Sequence, residues 1–451
     1  MMKHVRTPLA FAVLAVAAVL AIAPLAPAAA DTVADSLAVT AGPLIIDATP
    51  DGSKVVIVDL TYSVSVLDVA SGVQSTPVGL GGAFAYNVVV SPTGTTAIVP
   101  TTDGDLWFVD TATGAVTGPI NFDPYLFDVA FSPDGSLAYV TTGVDSVVIV
   151  DVASRTEVGR FILSPGTTAY GIALSPDGAT LSVSSIFAST LLRIDVATGV
   201  TTATLATIPF PSEVAVRADG WAYVGSFVAG TIGSVDPAGN SLPILLGGSG
   251  PVTAIALSPD ESRLYVPRGF GNQVAIVDTS INTEIAPFVT GVDSRGIAFA
   301  ADGLTAFVGD ASTPAVLVVT VDRPPVLAAA APSASIAAPY SFAVGTGGSP
   351  TPVFALSAGA LPAGLTLDAV SGVISGTPTA LGTSSFSITA TNGSGTVTQA
   401  YTLTVAAALA VTGVSSAPVL ATAVVLLVLG LGLTGLRRRA RHSIQETSGV
   451  R

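Results

Sequence analysis

The sequence contains no cysteine, only two histidines and two methionines, and just 10% charged residues. The missing cysteines remove disulfides, thiolate metal sites and cysteine nucleophiles together. The histidines are His4 and His442 and the methionines are Met1 and Met2, so residues 31–412 contain none of the three types. That excludes Ser-His-Asp and Cys-His catalysis, the usual zinc and copper sites, and haem held by His or Met. Positive charge is nearly as scarce: residues 31–412 carry 9 basic against 29 acidic side chains, a formal charge of −20, with Lys54 the single lysine. A nucleic-acid backbone or an anionic wall polymer is repelled by such a surface. What is abundant is apolar residues (50%), with 46 Gly and 31 Pro. Together these favour many short buried strands over a helical bundle or a disordered chain, and 451 residues allow two or three domains.

Both ends carry export features. Lys3 and Arg6 precede an unbroken apolar run from Leu9 to Ile22, and Pro24 and Pro27 stop any helix ahead of Ala28-Ala29-Ala30. This is the build of a signal peptide over residues 1–30, with cleavage between Ala30 and Asp31. Residues 417–436 form an uncharged stretch long enough to span a bilayer as a helix, followed by Arg437, Arg438, Arg439 and Arg441. The arginines place the 437–451 tail in the cytoplasm and everything before 417 outside.

Within the linker 407–416 stands Leu409-Ala410-Val411-Thr412-Gly413. It resembles the LAxTG sorting signal of high-GC Gram-positive surface proteins. The resemblance implies that a sortase attacks the Thr412 carbonyl, releases Gly413 onward and joins Thr412 to peptidoglycan. The alternative is a plain membrane anchor through the C-terminal helix.

The middle of the chain is repetitive. Thr49-Pro50-Asp51-Gly52 returns as Ser132-Pro133-Asp134-Gly135 and Ser175-Pro176-Asp177-Gly178, with variants at 91–94, 217–220, 258–261 and 300–303. The third position steps 51, 93, 134, 177, 219, 260, 302, and a second marker follows at Asp68, Asp110, Asp151, Asp195, Asp236 and Asp278. Each unit reads as four short strands; in the third these are 127–131, 137–141, 146–150 and 157–162. A period near 42 with four strands per unit predicts propeller blades, seven of them over residues 31–325. The seventh copy ends after its third strand, and the segment Ala38–Ala48 is expected to complete it and to supply the innermost strand of the first. Ala138-Tyr139-Val140-Thr141 and Leu264-Tyr265-Val266-Pro267, set between the two markers, resemble the YVTN family of bacterial repeats. That resemblance implies a seven-bladed surface propeller and no single activity, because related propellers include lactonases, amine-dehydrogenase subunits and binding proteins.

After Asp322-Arg323-Pro324-Pro325 the composition changes, and Asp368 is the sole charge from 326 to 412. Leu361-Pro362-Ala363-Gly364-Leu365-Thr366-Leu367-Asp368 and Ser371-Gly372-Val373-Ile374-Ser375-Gly376-Thr377-Pro378 resemble the Ig/cadherin-like modules of bacterial surface proteins, so residues 326–406 are expected to form a small β-sandwich. The expected class is therefore all-β: a seven-bladed propeller, then an Ig/cadherin-like sandwich, between a signal peptide and a transmembrane helix. One Asp does not make a cadherin-type Ca²⁺ site. No cofactor is expected; Ca²⁺ on the propeller carboxylates is permitted but unsupported.

Both repeated Asp sets read as turn and strand-end acceptors, so departures from the repeat matter more. In a propeller the loops leading into the innermost strands open on the face opposite those Asp residues. That face collects Tyr62, Phe84, Tyr86, Phe122, Tyr125, Phe127, Tyr170, Phe187, Phe210, Phe227 and Phe270. Positions equivalent to Asp128 vary around the channel mouth: Asn87, Gly171, Glu213, Ala254 and Gly296, with Arg295 beside the last. Asn87, Asp128, Glu213, Arg295, Tyr86, Tyr125, Phe127 and Tyr170 are the candidate ligand-binding residues. The competing reading is that these rings pack beneath their own loops and the charges merely hydrate the channel. The functional expectation is a wall-anchored binding or adhesion protein taking an extracellular carbohydrate or protein. A lactonase-like or other carboxylate- or Ca²⁺-dependent hydrolase, and a ligand-free coat spacer, stay open.

Overall fold

The computed structural model describes residues 31–407 apart from 123–124, 229, 249 and 292. The expected signal peptide with Ala30, the sorting motif 409–413, the membrane helix 417–436 and the tail 437–451 lie outside the described residues. Among the described residues every regular element is a strand, and no helix is long and apolar enough to cross a membrane.

Seven four-stranded antiparallel sheets follow one another along the chain. The third is typical: Leu126–Phe131, Leu137–Thr142, Ser146–Asp151 and Thr156–Ile162, in that spatial order. The middle strands read as continuous apolar runs, such as Val55-Val56-Ile57-Val58, and are buried on both faces because a neighbouring sheet covers each. Outer strands such as Thr201–Ala206 alternate between exposed and half-buried positions.

The core is divided accordingly. One apolar cluster fills each gap between consecutive sheets, for example Val56, Val58 and Leu80 with Val88, Ala97 and Val99 between the first two. A further cluster joins Ile46, Val55 and Ile57 of the first sheet to Ala298, Phe307 and Val316 of the seventh. Each sheet thus packs on the next and the seventh packs on the first, a propeller-like arrangement.

The seventh sheet is completed from the N-terminal side: Thr32–Ala38 pairs antiparallel with Ala315–Thr320 as its outer strand. The expected donor segment, Ala38–Ala48, supplies the innermost strand of the first sheet, Pro43–Ala48, but the outer strand lies ahead of it in sequence. Its residues are mostly exposed, so apolar patterning gives little sign of it.

The repeated turns are interlocked. Gly94 and Gly178 adopt φ of +73°, and a Cβ on either would press on Pro50 or Pro133 of the preceding repeat, at 3.1 and 3.2 Å. The Asp of the turn accepts from its own neighbours: Ser132 Oγ donates to Asp134 at 2.6 Å and Ser136 N at 3.0 Å, which pulls that carboxyl down to about 2. In the sixth repeat the glycine is replaced by Glu261, which takes φ +57°. Its carboxylate accepts from Ala218 N of the preceding repeat, offsetting the left-handed strain.

The C-terminal part of the described chain has a four-stranded sheet containing Gly382–Asn392 and Gly395–Ala406, and a three-stranded sheet containing Val373–Gly376. Phe354, Ile374, Phe386, Ile388, Tyr401 and Leu403 form its core. The strand Arg323–Leu327 runs across the expected junction at 325/326 and pairs with Gly345–Ser349. Asp368 serves a turn, accepting from Ser371 N at 2.7 Å and Val370 N at 3.0 Å.

Candidate functional site

The site is built from a bulge repeated at the start of the innermost strands. Pairing shifts register between Leu126 and Val129, between Ala169 and Ile172, between Pro211 and Val214, and between Arg295 and Ile297. Each bulge sets an extra residue at the channel mouth and re-aims its side chain. Hydroxyls stitch these bulges to the next sheet: Thr141 Oγ1 donates to the Tyr170 carbonyl, and Ser184 Oγ to the Ser212 carbonyl at 2.7 Å. Gly171 occupies its bulge because the fifth sheet approaches so closely; a Cβ there would sit 1.9 Å from the Ser212 carbonyl oxygen.

Asp128 lies in the third-sheet bulge and is 6% exposed. Its carboxylate accepts from Asn87 Nδ2 at 2.5 Å, Val129 N at 2.7 Å and Ile172 N at 2.9 Å, linking three consecutive sheets. Desolvation outweighs these bonds and pushes the carboxyl up to about 6. Beyond the side-chain-free Gly171 comes Glu213, which no hydrogen bond reaches within the described residues. It is enclosed by protein yet keeps surface facing internal space, and desolvation followed by repulsion from Asp128 holds its carboxyl well above the usual range. Burial, together with Glu213, Tyr86 and Asp128, raises the Tyr170 phenol in turn.

Glu213 stands between two spaces. Outward is a cavity of about 480 Å³ lined by Phe84, Tyr86, Phe127, Tyr170, Phe187, Phe210 and Phe227, with Thr168, Ser212, Thr253, Arg295 and several aliphatic residues. Inward is a channel of about 250 Å³ bordered by Asn87, Glu213 and Asp47. The rings fall into two groups. Tyr62, Phe84, Tyr86, Phe127 and Tyr170 pack in a continuous series, with centroids 4.5 Å apart for Phe84–Tyr86 and 4.6 Å for the stacked Phe127–Tyr170 pair. Phe187, Phe210 and Phe227 are 73%, 42% and 58% exposed, free of one another at the cavity rim. Packing beneath loops and presentation to solvent thus divide one aromatic face. Phe210, at the rim, and Phe270, against Arg295, hold φ of +51° and +60°, a costly backbone for an aromatic residue.

Of the expected site residues, Tyr86, Phe127, Tyr170, Glu213 and Arg295 line the cavity, and Asn87 borders the channel with Asp128 bonded beneath it. Arg295 is engaged locally: Nε and Nη2 each meet Asp293 at 3.0 Å, and the guanidinium lies 5.2 Å from the centre of the Phe270 ring. Tyr125, more than half exposed, is not among the lining residues. Asp31, expected at the cleavage point, is buried and accepts from Tyr265 Oη at 2.6 Å and Asp322 N at 2.8 Å, with Arg263 Nη1 at 3.3 Å.

Asp47 was not anticipated. It accepts from Val90 N at 2.7 Å and Ala48 N at 2.8 Å, and desolvation raises it to about 6. Its equivalents in the other repeats are Val89, Ala130, Ala173, Ala215, Ala256 and Ala298, so one acid among six apolar residues was the available signal. Among the described residues no group of three or more acidic side chains is placed to hold a metal ion.

Residues 319–406 match the family model described as "Putative Ig domain", so the chain contains an Ig-like domain there. No curated protein matches the chain. Among solved structures the chain is similar to Kuenenia stuttgartiensis hydrazine synthase, at 18% identity and a TM-score of 0.55 over 62% of this chain and 96% of that one. At that identity the likeness is one of fold, and it agrees with the propeller-like arrangement of sheets.

Proposed function

We propose that this chain is a cell-surface binding protein. In this reading a closed seven-bladed propeller of the YVTN-repeat type is lifted by the Ig-like module and joined to the wall through Thr412. It takes an extracellular carbohydrate or protein into the aromatic cavity. The observation that carries the reading is the cavity: seven rings with few polar groups, beside a repeat position that changes from copy to copy through Asn87, Asp128, Gly171 and Glu213. Aromatic faces stack on the C–H faces of sugars and on apolar side chains.

The test has two arms. Phe187→Ala with Phe227→Ala removes exposed rings and leaves the unfolding midpoint unchanged, yet lowers by about tenfold or more the affinity of ligands found in a glycan and peptide screen. Unchanged affinity refutes the site. Fractionation of cells making the parent or Thr412→Ala protein tests the anchor: wall-linked Thr412 peptide from the parent alone supports sorting, and an intact membrane-bound tail refutes it.

One observation favours a hydrolase as a second reading. Two carboxyls, Asp128 and Glu213, are both held above the usual range at one mouth, and such a pair can supply an acid and a base when one is protonated and the other ionised. Turnover of a lactone or ester lost in Asp128→Asn and Glu213→Gln supports it, and a chelator tests for any Ca²⁺ requirement. Binding without turnover leaves the first reading alone.

A further inference from the structure

The binding cavity is chemically lopsided. Asp128 is satisfied by Asn87 and two backbone N–H groups, and Asp47 by two more, whereas Glu213 is left without a donor among the described residues. The one cationic side chain lining the cavity among the described residues, Arg295, is paired with Asp293. A carboxyl without a donor beneath a wall of aromatic rings repels an anion when ionised; a neutral hydroxyl can offer it a hydrogen bond but no compensating charge, whereas a cationic donor offers both. Ring faces carry negative potential, so rings and carboxyl favour the same kind of guest.

We infer that the ligand presents an organic ammonium group, which enters the cavity, pairs with Glu213 and packs on the surrounding rings. The inference rests on the reading that this cavity is the binding site. Burial and then Asp128 tune Glu213, which in turn raises the Tyr170 phenol; Asp47 borders the same channel and the Arg295–Asp293 pair lies beside the cavity. A bound cation stabilises ionised Glu213. Affinity for a permanently charged ammonium therefore increases as pH rises toward the raised Glu213 value and levels off above it.

The test uses the purified full chain and calorimetric titration with matched pairs: choline and its uncharged tert-butyl analogue, glucosamine and glucose, and Nα-acetyl-lysine methylamide and its Nε-acetyl form. Expected is a preference of about tenfold for the cation in at least one pair. The preference disappears in isosteric Glu213→Gln, whose unfolding midpoint stays that of the parent or rises. The responding pair tells a small ammonium compound from an amino sugar or a lysine side chain. A preference absent from all three pairs, or surviving in Glu213→Gln, overturns the inference. If neutral members bind equally well and lose binding in Phe187→Ala with Phe227→Ala, the cavity reading stands and the ammonium inference alone falls. If none of the six binds at millimolar concentration, the ammonium inference is overturned and the glycan and peptide screen decides the cavity reading separately.

Discussion

Replacing Asp31 by Ala tests how the ring of sheets is fastened. Asp31 directly precedes the outer strand Thr32–Ala38 of the seventh sheet, and its carboxylate is the acceptor for Tyr265 Oη, Asp322 N and Arg263 Nη1. The substitution strands a fully buried phenol and a buried N–H and leaves Arg263 with the Asp322 carbonyl, at 2.8 Å, as a remaining acceptor. Removing one partner of a buried ion pair costs about 3–5 kcal/mol, and the retained carbonyl bond argues for the lower end. With a urea dependence of about 3 kcal/mol per molar for a body of this size, the midpoint falls by about 1 M or slightly more. The readout is built in: Trp107 lies in a strand of the second sheet and Trp221 packs against the core of the fifth and sixth, so their fluorescence follows that body and not the Ig-like domain. Asp31→Asn keeps an acceptor without the charge and falls between parent and Ala. A midpoint for Asp31→Ala within about 0.3 M of the parent would refute the latch, because it corresponds to less than one ordinary hydrogen bond.

Gly171→Ala forces a Cβ against the Ser212 carbonyl and separates the fourth and fifth sheets; a loss of about 2–3 kcal/mol in urea unfolding is expected, and one below about 0.5 kcal/mol contradicts the close approach. Because the folded protein holds Asp47 at about 6, above its unfolded value, its contribution is complete below pH 4 and is lost as pH rises through 6. Asp47→Asn should therefore make the decline in stability between pH 4 and 7 shallower by up to about 3 kcal/mol, the share of Asp128 and Glu213 remaining, as seen by urea midpoints across that range; a decline as steep as the parent's rejects the assignment. Tyr401→Phe removes the bond from Oη to the Ala328 carbonyl, 2.7 Å long, inside the Ig-like core and should lower the stability of that domain by about 1 kcal/mol in calorimetry while the tryptophan transition stays in place.

Sequence alone determined most of the strand-by-strand organisation of the repeats, because two markers recurring near every 42 residues, with β-branched runs between them, fix where the strands and turns between the markers lie. It also located the mouth: Asn87, Asp128 and Glu213 stood out as polar departures at one repeat position, and a repeat makes equivalent positions neighbours. The tertiary structure decided what could not be read from spacing. Contacts between residues far apart in sequence made Asp31 a buried acceptor for Tyr265, placed Thr32–Ala38 on the seventh sheet, and set Gly171 against Ser212. The same contacts separated satisfied Asp128 from Glu213, which meets no donor among the described residues, and engaged Arg295 with Asp293. Periodic sequence specifies which residues are equivalent; only the folded chain determines which donor each carboxylate meets, and that balance of solvation and pairing is what gives the cavity its chemistry.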